Sequence, residues 1–404
     1  MRILFLAPYS IPVNNPEAIC NAKLIKALCD ANHELYVISK NNNHAYAPDE
    51  DYSAFNCDVK YVKTIYIKNV INVKTIIGHI QVLLKTGFVY KGAHWAYYAI
   101  KEGEKIIKEN RIDLIMSRSP SSEVAAQYLS RKYNIPWIAN WNDPYPDSRY
   151  PKPYGDGPNG RISFLQKKLF ERISSCALVH TFPSVRLANY MSQYLDFKRV
   201  VIIPHICIND FYKHSIYTKN YHLRIIHSGN ISYPRSPEKL FSALRMFKDN
   251  HPNVHFEISF IGKQDETFKE TIERYKLEEN ISILSPSSYI VNLQLMENFD
   301  MALLVEAEME EGIYLPTKVG DYMQSRLPIW SLSPKVGIMN DLFLEGKIDY
   351  FSDNSCVDAI YKSFEEINNL YLTNKGILPR RDIIDEYKRE TILRQYEAVF
   401  KSLS

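Results

Sequence analysis

The chain alternates between continuous apolar runs of strand length and segments in which apolar residues recur at helical spacing. RILFLA (2–7) is the first such run, and Asn15-Pro16-Glu17 then offers a helix cap, a proline at the first helical position and an acid in the first turn. Apolar residues follow at helical spacing as far as Cys29, and ELYVIS (34–39) returns as a strand. Apolar strands joined by helices predict parallel sheets that are covered by helices on both faces.

This alternation is interrupted between residues 206 and 222, where the sequence is polar and aperiodic. It restarts with LRIIHSG (223–229). Three helices are predicted after the restart, at 237–249, 265–276 and 316–325. The sequence therefore predicts two similar α/β domains, 1–205 and 223–379, which are joined by a linker at 206–222 and face each other across a cleft. Residues 380–404 are predicted to form a C-terminal helix with an apolar stripe.

The amino-acid composition indicates an ordinary globular protein but does not identify its function. Of the 404 residues, 46% are hydrophobic and 24% are charged, which supplies two ordinary cores. The formal net charge of +3 is too small to indicate a nucleic-acid partner. The six cysteines form no C-x-x-C pair, which indicates neither a zinc site nor a disulfide framework and favours a reducing cytosol. With no apolar run of spanning length, we expect a cytoplasmic protein, either soluble or bound to the inner face of a membrane.

Three basic residues lie at predicted strand–helix junctions of the second domain. Gly229 and Arg235 lie between the first strand and its helix, FIGK places Lys263 after the next strand, and Lys318 lies in the first turn of a later helix. A glycine lets an anion approach backbone N–H groups, and a cation at a helix N-terminus is disfavoured unless it faces a negative group. Each residue alone fits a plain turn with a surface charge. Together they predict a phosphate site at the carboxyl edge of this sheet.

Asp321 lies one helical turn after Lys318 and therefore on the same face. A carboxylate can accept two hydrogen bonds from neighbouring hydroxyls, so a ribose beside the phosphate is one interpretation. A surface Lys–Asp pair within the helix is the other.

These segments resemble glycosyltransferases of the GT-B fold, in particular the nucleotide-sugar-dependent family 4. The resemblance is carried by the Gly229…Arg235 turn, by FIGK, and by LPTKVGDYMQSRLPIWSLSP, which is similar to the Pro-x-Lys-x-x-Glu-Tyr-Met…Pro block of that family. It implies two Rossmann-like domains facing each other across a cleft, with the last helix crossing back to the first domain. It also implies that Arg235 and Lys318 bind the donor diphosphate and that Asp321 binds the donor ribose.

The chain departs from the family pattern at two positions of the donor domain. Ile313 stands where the family has a glutamate, with Glu310 and Glu311 close by, and Asn230 stands where many members have an arginine. In the first domain, Arg118 lies where some relatives have a catalytic histidine. Asp143, in NWNDPYP, follows another predicted strand and is either a second catalytic candidate or an Asp-Pro turn.

The resemblance implies a retaining glycosyltransferase that moves a sugar from a nucleoside diphosphate sugar to a saccharide or lipid-linked acceptor. Such an enzyme serves cell-surface polysaccharide or glycan synthesis, with no cofactor and no metal ion. Two alternatives stay open: a nucleotide-sugar epimerase of the same architecture, and a non-catalytic partner subunit.

GDGPNG (155–160) matches a dinucleotide-binding pattern but follows a proline-rich stretch instead of a strand, so it predicts a mobile loop.

A further signal is a basic and apolar segment in the first domain. From Lys60 to Lys91 there are six lysines and no acidic residue, interleaved with isoleucine, valine and leucine. This composition is typical of a surface that meets an anionic membrane. An ordinary core helix with solvated lysines is the competing interpretation.

Overall fold

The computed structural model describes most of the chain, which folds into two compact units. The described residues are 1–11, 15–41, 53–57, 62–68, 73–86, 93–118, 120–208, 214 and 220–403. The first unit comprises residues 1–150, 155–206 and 389–404, and the second comprises residues 151–154 and 207–388.

The first unit contains a parallel sheet of seven described strands in the order β3-β2-β1-β4-β5-β6-β7. The strands are β1 (Arg2–Leu6), β2 (Glu34–Asn41), β3 (Val62–Lys68), β4 (Leu114–Arg118), β5 (Trp137–Asn140), β6 (Val179–Phe182) and β7 (Val200–Ile202). The helices are α1 (Pro16–Asp30), α2 (Val73–Thr86), α3 (Ala93–Glu109), α4 (Pro120–Tyr133), α5 (Phe164–Cys176) and α6 (Val185–Ser192). The strand order reverses at β1 and β4, which is the point where such sheets bind ligands.

The second unit repeats this plan with six described parallel strands in the order β10-β9-β8-β11-β12-β13. The strands are β8 (Leu223–Ser228), β9 (Phe256–Ile261), β10 (Ile281–Leu284), β11 (Met301–Val305), β12 (Ile329–Ser333) and β13 (Tyr350–Asp353). The helices are α7 (Glu238–Asn250), α8 (Glu266–Arg274), α9 (Tyr289–Met296), α10 (Thr317–Gln324), α11 (Ile338–Leu344) and α12 (Val357–Thr373). Aromatic residues of these elements, including Phe241, Phe260, Trp330 and Phe364, form its buried core.

Local sequence explains where the main elements begin. Asn15 caps α1 as predicted, because its side-chain oxygen accepts a hydrogen bond from the Ala18 N–H at 2.8 Å, with Pro16 at the first helical position. Central strands such as β1 and β4 are buried nearly throughout, which is why they appear in the sequence as continuous apolar runs. The prediction of two α/β sheet domains is therefore confirmed.

The C-terminal helix is shorter than predicted. The last helix, α13, is Arg389–Lys401, so the predicted start at residue 380 was wrong. Ile383 and Tyr387 are buried, and Asp385–Tyr387 form a single 3-10 turn. The chain then leaves this turn, because the Tyr387 carbonyl accepts a hydrogen bond from the Cys207 N–H at 2.8 Å and Lys388 forms a β-bridge with Cys207. The helix itself belongs to the first unit, where Ile392, Tyr396 and Phe400 are buried.

GDGPNG forms a tight turn that backbone hydrogen bonds hold to the preceding segment, and the mobility of this loop stays a prediction. The Asp156 and Gly157 N–H groups donate to the carbonyls of Ser148 and Tyr150. A Cβ atom at Gly160 would lie 1.8 Å from the Ser148 carbonyl oxygen, so close backbone packing requires a glycine there. No strand leads directly into this turn, which excludes a dinucleotide fingerprint.

None of the helices in the described residues is both long and apolar enough to cross a membrane. Nor do the described residues contain a group of three or more His, Cys, Asp or Glu side chains that could hold a metal ion.

Candidate active site

The predicted donor-binding residues lie mainly at the carboxyl edge of the second sheet. Gly229 directly follows β8, Gly262 follows β9 and Glu306 follows β11, and these three strands are neighbours in the sheet. The N-terminus of α10, which carries Lys318, is brought to the same edge. Parallel strands present their carboxyl ends together, so residues distant in sequence meet here.

Lys318 packs directly on Gly229. Gly229 has φ +118°, and a Cβ atom there would lie 2.7 Å from the Lys318 Nζ and 2.8 Å from its Cε. The glycine is therefore needed both for its backbone conformation and for the space that the lysine side chain fills. Sequence reasoning anticipated a close approach at Gly229 by an anion, whereas the group that occupies the space in this structure is the lysine.

Arg235 is the second cation of this cluster. Its charge acts on Lys318, Glu306 and His227. Its guanidinium makes no hydrogen bond and no ion pair with any residue that the structure describes. Burial and the nearby Arg235 charge lower the pKa of Lys318 to about 7, against the opposing effect of Asp321. Arg235 and Lys318 are two neighbouring cations, and Arg235 forms no ion pair within the described residues, so a phosphate group is favoured here.

His227, which sequence reasoning missed, lies beneath Lys318. It is fully buried at the second-last position of β8, and its Nδ1 is 2.9 Å from the Leu303 carbonyl oxygen. A carbonyl can only accept, so Nδ1 carries the proton, and burial together with the Lys318 charge keeps the pKa of His227 well below its usual value. The neutral ring therefore presents the Nε2 lone pair to the Lys318 Nζ at 3.4 Å.

Gln264 fixes the backbone of the loop that follows β8. Its side-chain oxygen accepts from the Ile231 N–H at 2.9 Å, and its amide donates to the Gly229 carbonyl at 3.1 Å. Gln264 is buried, whereas its neighbour Lys263 is exposed and makes no hydrogen bond or ion pair within the described part of the chain. The structure thus places Lys263 on the predicted edge but does not join it to Lys318 and Arg235.

Asp321 lies on the same face of α10 as Lys318, as its spacing predicted, and it has an additional partner. The hydroxyl of Tyr289, at the start of α9, donates to Asp321 Oδ1 at 2.5 Å. Ile313, at the position where the family has a glutamate, is fully buried. Glu310 is exposed and Glu311 is partly buried, so neither side chain occupies the buried position that Ile313 fills.

Glu306 adds a carboxyl group to the cation cluster. Burial raises its pKa to about 7, although a hydrogen bond from Ser333 and the charge of Arg235 act in the opposite direction. A cavity of about 130 Å³ borders Glu306 and also contacts Pro234 and Ser236, the residues on either side of Arg235. No sequence motif singled out this residue, because it could be recognised only after β11 and the Arg235 loop had been brought together.

The first unit has its own polar group at the carboxyl edge of the first sheet. Arg118 ends β4, is 4% exposed and interacts with the hydroxyl of Tyr396 from α13. It borders a water-sized cavity with Asn140 and Asn142, and its Nε has no hydrogen-bond partner among the described residues. Because the Arg118 side chain is almost fully buried, it is better placed to position neighbouring side chains than to contact a substrate.

Asp143 follows β5 and lies near the partly buried Glu17, which in turn lies near the fully buried Glu123. The Asp143 residue retains exposed surface, and the protein atoms packed around it raise its pKa to about 6. Burial raises the pKa of Glu17 to about 8, with Asp143 adding to the shift and Arg118 opposing it. Burial and Glu17 keep the pKa of Glu123 well above its usual value. Sequence reasoning identified Arg118 and Asp143 but missed Glu17 and Glu123. In the sequence these two glutamates are recognisable only as acidic residues in the first turn of a helix.

Comparisons with known proteins agree with this architecture. A family model described as Glycosyltransferase Family 4 matches residues 19–206. A glycosyltransferase from Rickettsia africae is similar in structure, with a TM-score of 0.68, 14% identity, and coverage of 100% of this chain and 98% of the other. No curated protein sequence is similar enough to this chain to count as a match.

Two further solved structures share the fold over the whole chain. A sucrose-phosphate synthase from Thermosynechococcus elongatus has a TM-score of 0.67 at 11% identity, with coverage of 100% of this chain and 97% of the other. HepE from Anabaena, in complex with UDP and glucose, has a TM-score of 0.63 at 12% identity, with coverage of 100% of both chains. The chain therefore has the GT-B fold of these glycosyltransferases, and the Glycosyltransferase Family 4 model matches its residues 19–206, almost all in the first domain.

Proposed function

We propose that the protein transfers a sugar from a nucleoside diphosphate sugar to a saccharide or lipid-linked acceptor in the synthesis of a cell-surface polysaccharide or glycan. The observation that carries this proposal is the pair formed by Arg235 and Lys318 at the carboxyl edge of the second sheet, where the Arg235 guanidinium has no partner among the described residues. Retention of configuration at the transferred sugar is proposed from the likeness to family 4. The comparison with HepE, whose structure contains UDP, makes uridine the first base to test.

In this proposal the donor lies along the edge formed by Gly229, Arg235 and Lys318. The guanidinium fork and the ammonium bind the diphosphate oxygens, and the N-terminus of α10, which no side chain of the described residues caps, adds partial positive charge beside Lys318. Asp321, held by the Tyr289 hydroxyl, accepts hydrogen bonds from the ribose. Lys263 contributes from further out on the same edge.

Sugar transfer breaks the bond between the anomeric carbon and the diphosphate, so negative charge grows on the leaving oxygens. Arg235 and Lys318 stabilise that charge, and Lys318 does so from a position that is already fixed by Gly229, His227 and the protein interior. This role needs neither a metal ion nor a cofactor. In the first domain, Asp143 orients the acceptor hydroxyl as a hydrogen-bond acceptor, and the deeply placed Arg118 positions the groups around it.

Calorimetric titration with UDP and with uridine tests the donor assignment. Arg235→Ala and Lys318→Ala should each weaken UDP binding by about 10- to 100-fold, since each removes a charge-assisted hydrogen bond worth about 1.5–3 kcal/mol. Uridine binding should change little. Arg245→Ala is a matched control, because Arg245 lies in the same domain but pairs with Asp249 on α7.

Equal losses for UDP and uridine in the two variants would contradict the phosphate assignment. Should UDP fail to bind, GDP and ADP extend the search to other bases. Incubation with the donor sugar and no acceptor separates the two enzymatic alternatives, because an epimerised donor would support the epimerase. Failure of all nucleoside diphosphates to bind would support a non-catalytic partner subunit.

A further inference from the structure

Helix α2 presents a row of apolar side chains to the surface. The six residues retain between 37% and 79% of their surface and are spaced three or four positions apart, or adjacent. They are Val73, Ile76, Ile77, Ile80, Leu83 and Leu84. Residues at this spacing share one side of a helix, so they form a continuous apolar strip, here called the α2 strip. A strip of this kind indicates an interaction surface, whereas isolated exposed apolar residues do not.

The opposite side of α2 is packed against its own domain. Gly78 and Val82 are buried, and a Cβ atom at Gly78 would lie 3.2 Å from the ring of Tyr97 in α3. This close approach fixes which face of the helix turns inward. The exposure of the α2 strip is therefore a consequence of how α2 packs on α3.

The charge of the sequence segment that contains the α2 strip indicates the kind of partner. Six lysines and no acidic residue lie between positions 60 and 91, and Lys63 is exposed on β3. A second copy of the chain docked face to face would bring two such basic segments together, which is electrostatically unfavourable. An anionic lipid surface accepts both the apolar strip and the lysines, because apolar side chains enter the boundary of the acyl region while lysines meet the headgroups.

We propose that the α2 strip docks the first domain onto an anionic membrane surface. The direction of the chain indicates that the α2 strip lies near the carboxyl edge of the first sheet. α3 runs back to the start of β4, so its first turns, including Tyr97, lie towards the carboxyl edge, and α2 packs there. The first residues of α5 lie at that edge for the same reason, and they expose Phe164 and Leu165 next to Lys167 and Lys168. A membrane on this side would bring a lipid-linked acceptor to the edge that carries Asp143.

This inference is independent of the proposed sugar transfer, since membrane binding is measured without donor or acceptor. The full chain is mixed with vesicles of phosphatidylcholine, with or without phosphatidylglycerol, and the bound fraction is measured by flotation at low and high salt. We expect binding to the anionic vesicles that weakens as salt rises, because exposed charges are screened within about 10 Å at 0.1 M.

Two pairs of variants separate the apolar and the charged contributions. Leu84→Ser should reduce binding by about tenfold, whereas Leu344→Ser, at a residue of similar exposure in the second unit, should leave it unchanged. Lys74→Gln combined with Lys85→Gln should reduce binding by about 25-fold, at about fivefold for each lysine. Lys335→Gln combined with Lys375→Gln, at exposed positions of the second unit, is the charge control.

The proposal is overturned if the protein does not bind anionic vesicles at low salt, or if Leu84→Ser and Leu344→Ser have the same effect. Equal binding to vesicles with and without phosphatidylglycerol would overturn the anionic assignment. Light scattering after gel filtration covers the remaining alternative: a dimer that Leu84→Ser dissociates, without vesicle binding, would show that the α2 strip meets a second copy. Thermal melting of each variant verifies that it is folded.

Discussion

The pKa of Lys318 predicts that donor binding takes up a proton. In the ligand-free protein, burial and the Arg235 charge hold this pKa at about 7, so about half of the lysine is neutral at pH 7. A bound diphosphate favours the charged ammonium and moves the pKa back towards about 10.5, its ordinary value. The neutral His227 cannot supply a competing positive charge, because its own pKa lies well below its usual value.

The sign and size of the effect follow from linkage. Below pH 7 Lys318 is already protonated, so its contribution to UDP binding is fully present. Above pH 7 a proton must first be taken up, and the affinity should fall by up to about tenfold per pH unit until the pKa of the bound state is reached. At the acid end the terminal phosphate of UDP takes up its own proton near pH 6, so the affinity should be highest between about pH 6 and 7.

Calorimetric titration of UDP between pH 6 and 9, in buffers with different ionisation enthalpies, measures both the affinity and the number of protons taken up. Lys318→Arg should remove most of the slope above pH 7, because a guanidinium remains charged throughout this range. Lys263→Met, on the same edge but exposed, should keep the slope of the unchanged protein. An affinity that is independent of pH between 7 and 9, with no proton uptake, would refute the assignment of Lys318 as a titrating diphosphate ligand.

Two further predictions concern the packing on which the site depends. Gly229→Ala should lower UDP affinity at least about tenfold and lower the melting temperature, because a Cβ atom would meet the Lys318 Nζ at 2.7 Å on a backbone with φ +118°. Unchanged UDP affinity in this variant would show that the lysine has room elsewhere. Ending the chain after Lys388 should expose the surface that Ile392, Tyr396, Val399 and Phe400 cover in the first unit, so we expect poorer solubility or a lower melting temperature together with lost transfer activity. A shortened chain with unchanged melting and full activity would show that α13 is an appendage.

Sequence patterning was sufficient for the elements and their class because those signals are local. Continuous apolar runs such as β1 and β4 require burial on both faces, and the Asn15 cap is determined by three neighbouring residues. The position of Asp321 one turn after Lys318 was likewise a matter of helical spacing alone. The likeness of the Lys318 segment to family 4 glycosyltransferases could be read from adjacent residues in the same way.

The last helix shows where periodicity becomes ambiguous. Ile383 and Tyr387 are spaced like residues on one face of a helix that continues to Ile392, yet the α-helix begins only at Arg389, after a single 3-10 turn at Asp385–Tyr387. The backbone before it pairs with Cys207, which lies about 180 residues earlier in the chain. Apolar spacing reports that a residue is buried, whereas the hydrogen-bond partner of its backbone depends on what the fold brings alongside.

The chemistry of the donor edge was decided by tertiary structure. Lys318 and His227 are 91 positions apart, and Gln264 reaches back 35 positions to the Gly229 carbonyl, so no local pattern connects them. The shifted pKa values of Lys318 and Glu306 arise from burial and from neighbouring charges, which exist only after the strands have assembled. In the same way, the sequence determined that residues 73–86 are apolar and basic, but only the packing of Gly78 on Tyr97 decided which side of that helix faces outward. Secondary structure depends on neighbours along the chain, whereas the protonation, exposure and contacts of a side chain depend on neighbours in space.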